Sequence, residues 1–292
     1  MSASTPPVNP VQRLQVLETV KTAYSGVFAS LGPLFRAALL PFVLSLLINL
    51  MESTLPTEAF GPRFLLAVCG MFPYVIFAVA WHRFVLLGPA KADPKTLPPL
   101  GARHLRFAVA LFALVAIMFG VVLALGLLMA HLMALFGGVP VGVGEQLGPA
   151  SAPILLLALA FAMVILYVFL RLSFVLPAIS VDEAYKFKDS WRNTRGQGWS
   201  LVGAVLLASL PLLLVGMILT LFFGMGVAQS EGPGFTVLSL FFLVSAALSY
   251  ISSALTVSIL SMAFRTCTGW YPGEDAGPPV PSQPEPGGDA TY

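Results

Sequence analysis

Residues 167–199 read YVFLRLSFVLPAISVDEAYKFKDSWRNTRGQGW, from Tyr167 to Trp199. The stretch opens as the end of an apolar run, passes Arg171 and is expected to break at Pro177, because proline cannot donate to the helix ladder. A short charged segment follows, closed by Gly196 and Gly198, and Trp199 leads into the next apolar run. This is the pattern of a membrane-spanning helix that exits to the cytoplasm, lies along the surface and goes back in. Within it, Ser180 and Glu183 have the spacing of a capping box. Ala184, Phe187 or Lys188, and Trp191 share one helical face, and Gly196 is placed as a C′ stop.

Composition supports this reading. Hydrophobic residues make up 58% of the 292 and charged residues 10%, with mean hydropathy +0.90. Soluble domains carry roughly 25% charged residues. A chain this poor in charge cannot coat a globular surface, so the lipid bilayer is its expected solvent and first partner. A formal net charge of +2 gives no case for nucleic acid. Cys69 and Cys267 lie in or beside apolar runs without CxxC or metal-type spacing, and read as packing residues. The N-terminus, MSASTPPVNP, lacks the basic region and short apolar core of a cleaved signal. The first span is therefore expected to act as its own insertion signal.

Outward from the central stretch, the expected fold is all-α: an integral membrane bundle of six transmembrane helices with amphipathic helices on its cytoplasmic surface. Residues 1–10 read as disordered. Residues 11–31 carry apolar side chains at helical spacing (Leu14, Leu17, Val20, Tyr24, Val27 or Phe28, Leu31) and read as a helix in the interface plane. The spans are expected over residues 34–51, 64–87, 105–136, 154–175, 200–228 and 235–264, all within a membrane domain of residues 11–270. Glycine-rich residues 137–153 form a loop with one charge, Glu145. The loop between the last two spans carries only Glu231. Residues 271–292, rich in proline, glycine and acids, read as a disordered tail.

Charge placement sets the orientation. With the N-terminus inside and six spans, all but Arg63 of the 15 lysines and arginines fall on the cytoplasmic side. Trp81, Trp191, Trp199 and Trp270 all fall at that boundary, where indole prefers to sit. The expected location is a bacterial inner membrane with both termini cytoplasmic. The chain also reads as three hairpins, each even span closing near an arginine: Arg83, Arg171 and Arg265. An alternating multi-span protein places basic residues there in any case.

Two stretches carry a resemblance. The shared pattern is Arg171, Leu176, Pro177, Ala178, Asp182 or Glu183, Ser190, Trp191, Arg192 and Gly196, together with WHRFVLLG at residues 81–88. It resembles bacterial multi-pass membrane proteins of poorly defined function, similar to the membrane region fused to some glycerophosphodiester phosphodiesterases. No hydrophilic catalytic domain is present in this chain, so phosphodiesterase activity does not carry over. The resemblance implies a membrane architecture and an association with envelope or lipid biology, and no catalytic residue.

The chemistry-bearing residues support no catalytic, cofactor or metal assignment. No HExxH, GxSxG or P-loop pattern occurs. His82 and His104 fall at the boundary, and His131 near the far end of the third span reads as a hydrogen-bonded interhelical residue. No acid lies near the middle of a span, which argues against a proton-coupled pump. Arg36, Arg83 and Arg171 near span ends read as snorkelling topology residues or as a pocket for a lipid phosphate. Lys186, Lys188, Arg192 and Arg195 join them as candidate contacts to anionic headgroups. Pro41, Pro73 and Pro211 kink three spans, as structural bundles and transporters both do. Ser245, Ser249, Ser252 and Thr256 share one helix face and read as a packing surface, with a permeation path as the other reading. The expected function is a non-enzymatic scaffold or partner-binding module in envelope or lipid homeostasis, with a membrane protein as partner. A transporter or lipid-moving protein is the first rival, and a membrane-embedded enzyme the second.

Overall fold

The computed structural model describes residues 13–56, 58–95, 99–135, 152–228 and 235–272. The expected disordered N-terminus, the loops with Glu145 and Glu231, and the tail from residue 273 lie outside the described residues. Among the described residues the fold is all-helical, and six helices are long and apolar enough to cross a membrane.

An amphipathic helix α1 (Val16–Ala29) leads directly into the first span, α2 (Leu31–Ser53). The second span is two helices, α3 (Phe60–Cys69) and α4 (Met71–Leu87), broken at Gly70. Pro73 has no N–H to offer the Cys69 carbonyl, which explains the break just before it. Pro41 and Pro211 lie inside α2 and α10 (Gly198–Ala228) without ending either helix. After a single turn, α5 (Pro89–Ala92), the third span is α6 (Ala102–Leu135). The fourth span is α7 (Ala152–Leu172) continued by α8 (Val175–Ser180). A short surface helix α9 (Phe187–Asn193) precedes α10, and α11 (Phe235–Thr268) is the last span.

Two local expectations are corrected in the central stretch. The chain breaks at Ser173–Phe174, and Pro177 lies inside α8. A proline ring clashes with the carbonyl four residues earlier, here Ser173, so the disruption appears upstream of the proline. Ser180 and Glu183 form no capping box. The Ser180 hydroxyl donates back to the Leu176 carbonyl at 2.9 Å, and Glu183 accepts the Trp270 indole N–H at 2.8 Å. The helix begins later, where the Asp189 carboxylate accepts the Lys186 N–H at 3.2 Å. Gly196 adopts the left-handed conformation, φ 79°, two residues past the cap Thr194.

The packed core sits at one end, which also carries the basic residues. Phe77, Trp81 and Leu86 of α4, Phe107 and Leu114 of α6, and Phe174 after α7 are buried. So are Leu201 of α10 and Ile259 and Phe264 of α11. Helix α4 is central and packs on α2, α6, α8 and α11. Toward the far end the helices expose their apolar faces, including Leu127 of α6, Phe222 of α10 and Leu240 of α11. Hydrocarbon tails are as apolar as these side chains, so no hydrophobic force closes the far halves.

Helix α1 buries Val20, Ala23 and Val27 against α10 and α11. The Tyr24 hydroxyl donates to the Ala208 carbonyl at 2.7 Å, and the Leu14 N–H donates to the Gln197 side chain at 3.1 Å. The apolar stripe read from the sequence is thus held by neighbouring helices, while Leu17, Phe28 and Leu31 face outward. Trp81 departs from its expected place at the boundary. It is fully buried, and its indole N–H reaches the Ala254 carbonyl at 3.1 Å and the Ser258 hydroxyl at 3.0 Å. That pairing satisfies the indole within the core, so it has no need of the headgroup region.

Gly198 begins α10 where the Tyr167 ring lies on its backbone. A Cβ there would stand 2.4 Å from Tyr167 Cε2 and 3.1 Å from Arg171 Cδ. At Gly203 an added Cβ would meet Val16 at 3.8 Å, an ordinary contact. Gly198→Ala should therefore lower stability by about 1–3 kcal/mol through overpacking. Gly203→Ala should be neutral or stabilising by up to ~1 kcal/mol through helix propensity. Thermal unfolding of both variants in one detergent checks the contrast.

Candidate functional site

The polar chemistry of the basic end gathers at two places, both built on the central stretch. The first is Asp182. After α8 the chain turns through Asp182 in the left-handed conformation, φ 65°, at the only described non-glycine residue with positive φ. The Glu183 N–H donates to the Ala178 carbonyl at 3.0 Å and closes this turn. The carboxylate then faces three guanidinium groups. Arg103 of α6 donates from Nε to both oxygens, at 3.1 and 3.0 Å, and from Nη2 to Oδ2. Arg106, one turn on, donates to Oδ1 at 2.8 Å. Arg83 of α4 lies 3.8 Å from Oδ2 and donates to the Ser180 carbonyl at 3.0 Å. Three cations on one anion leave the cluster with excess positive charge. The hydrogen bonds from Arg103 hold the Asp182 carboxyl below its usual range, helped by the charges of Arg103, Arg106 and Arg83 and opposed by partial burial.

The second place is Arg171, near the end of α7. It is 7% exposed, and among the described residues no carboxylate pairs with it. Its Nε donates to the Thr194 hydroxyl at 3.0 Å, Nη1 to the Tyr167 hydroxyl at 3.2 Å, and Nη2 to the Trp191 carbonyl. The guanidinium carbon lies 3.7 Å from the centre of the Trp191 ring. Arg171 is therefore turned into the protein, where it ties the surface segment to α7. Neutral acceptors and an aromatic face replace water around the charge. Ser190 supports the same joint, donating to the Arg171 carbonyl at 2.6 Å and accepting the Phe174 N–H at 3.2 Å.

Arg83 and Arg171 thus belong to separate networks and share no hydrogen-bond partner. The remaining candidate contacts are displayed outward. Lys186, Lys188, Arg192 and Arg195 are all exposed, as are Trp191 and Trp199 on the same segment. Arg192 pairs with Asp189 at 3.1 Å. The Tyr185 phenol, pushed up to about 12 mainly by burial, accepts from Asn193 at 2.9 Å and braces the inner side of α9. Arg36 pairs with Asp93 at 2.8 Å.

A 230 Å³ cavity adjoins the Asp182 cluster, lined among others by Arg83, Lys91, Asp93, Lys95, Arg103 and His104. A 580 Å³ groove runs between α10 and α11, lined by Ser209, Gly216, Thr220, Ser245, Ser249 and Ser252 with leucines between. Ser245, Ser249 and Ser252 of the hydroxyl face expected to close-pack thus line an open groove. Helix α1 packs on both helices and holds α10 through Ala208 just before Pro211, and beyond that level α10 and α11 still meet, the Phe223 and Phe241 ring centroids lying 5.3 Å apart. Pro41 and Pro73 are buried, so the three kinks do not share this groove.

The histidines are apart from one another. His82 is buried and hydrogen-bonds Ser261 through Nδ1 at 2.7 Å. His104 accepts from the Gly101 N–H at 3.4 Å. His131 is exposed on α6, where the sequence reading expected an interhelical hydrogen-bonding residue, and among the described residues no hydrogen-bond partner faces it. Among the described residues no group of three or more His, Cys, Asp or Glu is arranged to hold a metal.

Sequence reading missed the convergence on Asp182, and with it Arg103 and Arg106 as a pair. A signal was available: Asp182 and Glu183 are the first acids after four apolar spans, and α6 begins with arginines three apart. No protein family, curated protein or solved structure matches the chain.

Acidification provides a test. A carboxyl held below its ordinary value adds stability that is complete above its unfolded pKa, about 3.9. That stability is lost as pH falls through the folded value. Thermal unfolding in detergent should therefore show an extra fall in Tm below about pH 4 that Asp182→Asn lacks. Parallel Tm curves for the two proteins would show that Asp182 does not act this way.

Proposed function

We propose that the chain is a non-enzymatic multi-pass protein of the bacterial inner membrane, with its basic end and both termini in the cytoplasm. It serves as a scaffold or partner-binding module in envelope or lipid homeostasis and holds anionic lipid headgroups at its rim. One observation carries this reading. The segment from Lys186 to Trp199 presents Lys186, Lys188, Arg192 and Arg195 outward beside two exposed tryptophans, while Arg171 fastens it from beneath. Cations flanked by indole rings suit the headgroup layer, where anionic phosphates attract lysine and arginine. The excess of arginine around Asp182 adds to the same field. The sequence resemblance over residues 81–88 and 171–199 agrees with an envelope or lipid role.

A lipid-moving protein is the second reading, favoured by the hydroxyl-lined groove between α10 and α11. Measurable exchange of lipid between the leaflets of reconstituted vesicles would select it.

For the leading reading, the full chain is purified in mild detergent and its bound lipids are quantified by mass spectrometry. Replacing Lys186, Lys188, Arg192 and Arg195 together by Gln should reduce the ratio of anionic to zwitterionic lipid at least about tenfold. Each cation near an anionic surface contributes about 1 kcal/mol. An unchanged ratio in a folded variant would remove the rim from lipid binding.

A further inference from the structure

We infer that the cavity beside the Asp182 cluster is a binding site for a phosphomonoester dianion, held by Arg83, Arg103, Lys91 and Lys95. This deepens the headgroup reading and rests on it, but it names a different set of residues.

Charge is the first ground. Arg83, Lys91, Lys95, Arg103 and His104 line the cavity, and among the described residues Asp93 is the only carboxylate on its wall. That carboxylate is engaged from outside by Arg36 at 2.8 Å. Asp182 is shared among three arginines. The wall and the adjoining cluster together therefore hold more cationic charge than Asp93 and Asp182 neutralise, and part of it is withdrawn from water. The Arg83 and Arg103 side chains are 25% and 30% exposed. Half-buried like charges this close repel one another, and a dianion between them relieves the repulsion.

Unused donors are the second ground. Arg83 uses one terminal nitrogen on the Ser180 carbonyl and, among the described residues, makes no hydrogen bond through Nε or Nη2. Arg103 uses Nε and Nη2 on Asp182 and leaves Nη1 without a described partner. Lys91 and Lys95 pair with no described carboxylate. Guanidinium forks with free N–H groups, backed by mobile ammonium groups, match the several acceptor oxygens of a phosphate. Asp182 orients the forks and leaves them donors to spare.

Size is the third. At 230 Å³ the cavity is smaller than the roughly 300–1,000 Å³ that take drug-sized ligands. It suits a compact, highly charged group. Phosphate chemistry of this kind comes either from a lipid phosphomonoester or from a soluble phosphate.

The test uses the full chain in phosphatidylcholine nanodiscs. One arm titrates inorganic phosphate by calorimetry. The other exchanges part of the lipid for phosphatidic acid and counts retained phosphatidic acid by native mass spectrometry. Lys91→Gln with Lys95→Gln leaves the Asp182 contacts untouched, so the variant should fold. It should weaken binding about tenfold, since two of the cations are gone. Arg83→Lys, which keeps the charge and loses the fork, should weaken it as well. Retention of phosphatidic acid lost in the double variant supports a lipid headgroup; binding of inorganic phosphate alone supports a soluble ligand. No binding in either arm, or binding that the double variant leaves unchanged, overturns the site. The rim variant at residues 186, 188, 192 and 195 should keep pocket binding, so failure of the rim and failure of the pocket are separately visible.

Discussion

The Asp182 carboxylate is the point on which the basic end depends. It stands at the turn after α8 and takes hydrogen bonds or charge from Arg103 and Arg106 of α6 and Arg83 of α4. Three helices that share little sequence proximity are thereby fixed at one depth. A surface ion pair in water adds little, because solvent and side-chain entropy offset the attraction. Here the pairs form a network, partly shielded, at the edge of a low-dielectric phase, where each interaction is stronger. The cost is a local excess of positive charge, and that excess makes the adjoining cavity a place for an anion.

Arg171 solves a related problem by different means. A buried guanidinium without a carboxylate is costly unless every donor finds an acceptor. Thr194, Tyr167 and the Trp191 carbonyl give each nitrogen one acceptor, and the Trp191 ring covers one face. The result is a rigid joint between α7 and the surface segment. Gly198 is part of it, since only a residue without a side chain lets the Tyr167 ring approach the start of α10 this closely. One arginine of the central stretch thus acts as a structural fastener, and those around Asp182 keep donors free. The chemical difference is burial: each nitrogen of the enclosed cation has an acceptor, and the half-exposed ones leave nitrogens without one.

Much of the architecture is legible in the sequence because lipid imposes one simple rule, a long apolar run for each crossing. The structure has six helices long and apolar enough to cross a membrane, the number read from the sequence. What was not legible depended on which face of a helix meets which neighbour. Trp81 reads as an interfacial anchor from its position, yet its ring points to α11 and finds partners at Ala254 and Ser258. The serines of α11 read as a packing face and line a groove, because in lipid small residues permit close approach without compelling it. Pro177 marks a break correctly but four residues late, because its clash lies with the preceding turn. At the candidate site, Lys186, Lys188, Arg192 and Arg195 were readable as an exposed basic face. The Asp182 cluster was not, since its members come from residues 83, 103, 106 and 182 and only tertiary packing unites them.

The most direct test of Asp182 as the fastening of the basic end is a double-mutant cycle with Arg103. Stability of the wild type, Arg103→Gln, Asp182→Asn and the double variant is measured by unfolding in one detergent at neutral pH. If the carboxylate and the guanidinium fasten α6 to the turn after α8, the two substitutions should be non-additive by about 1 kcal/mol or more. Additivity within about 0.3 kcal/mol would mean that the pair contributes nothing to holding these helices together, and the basic end would need another explanation.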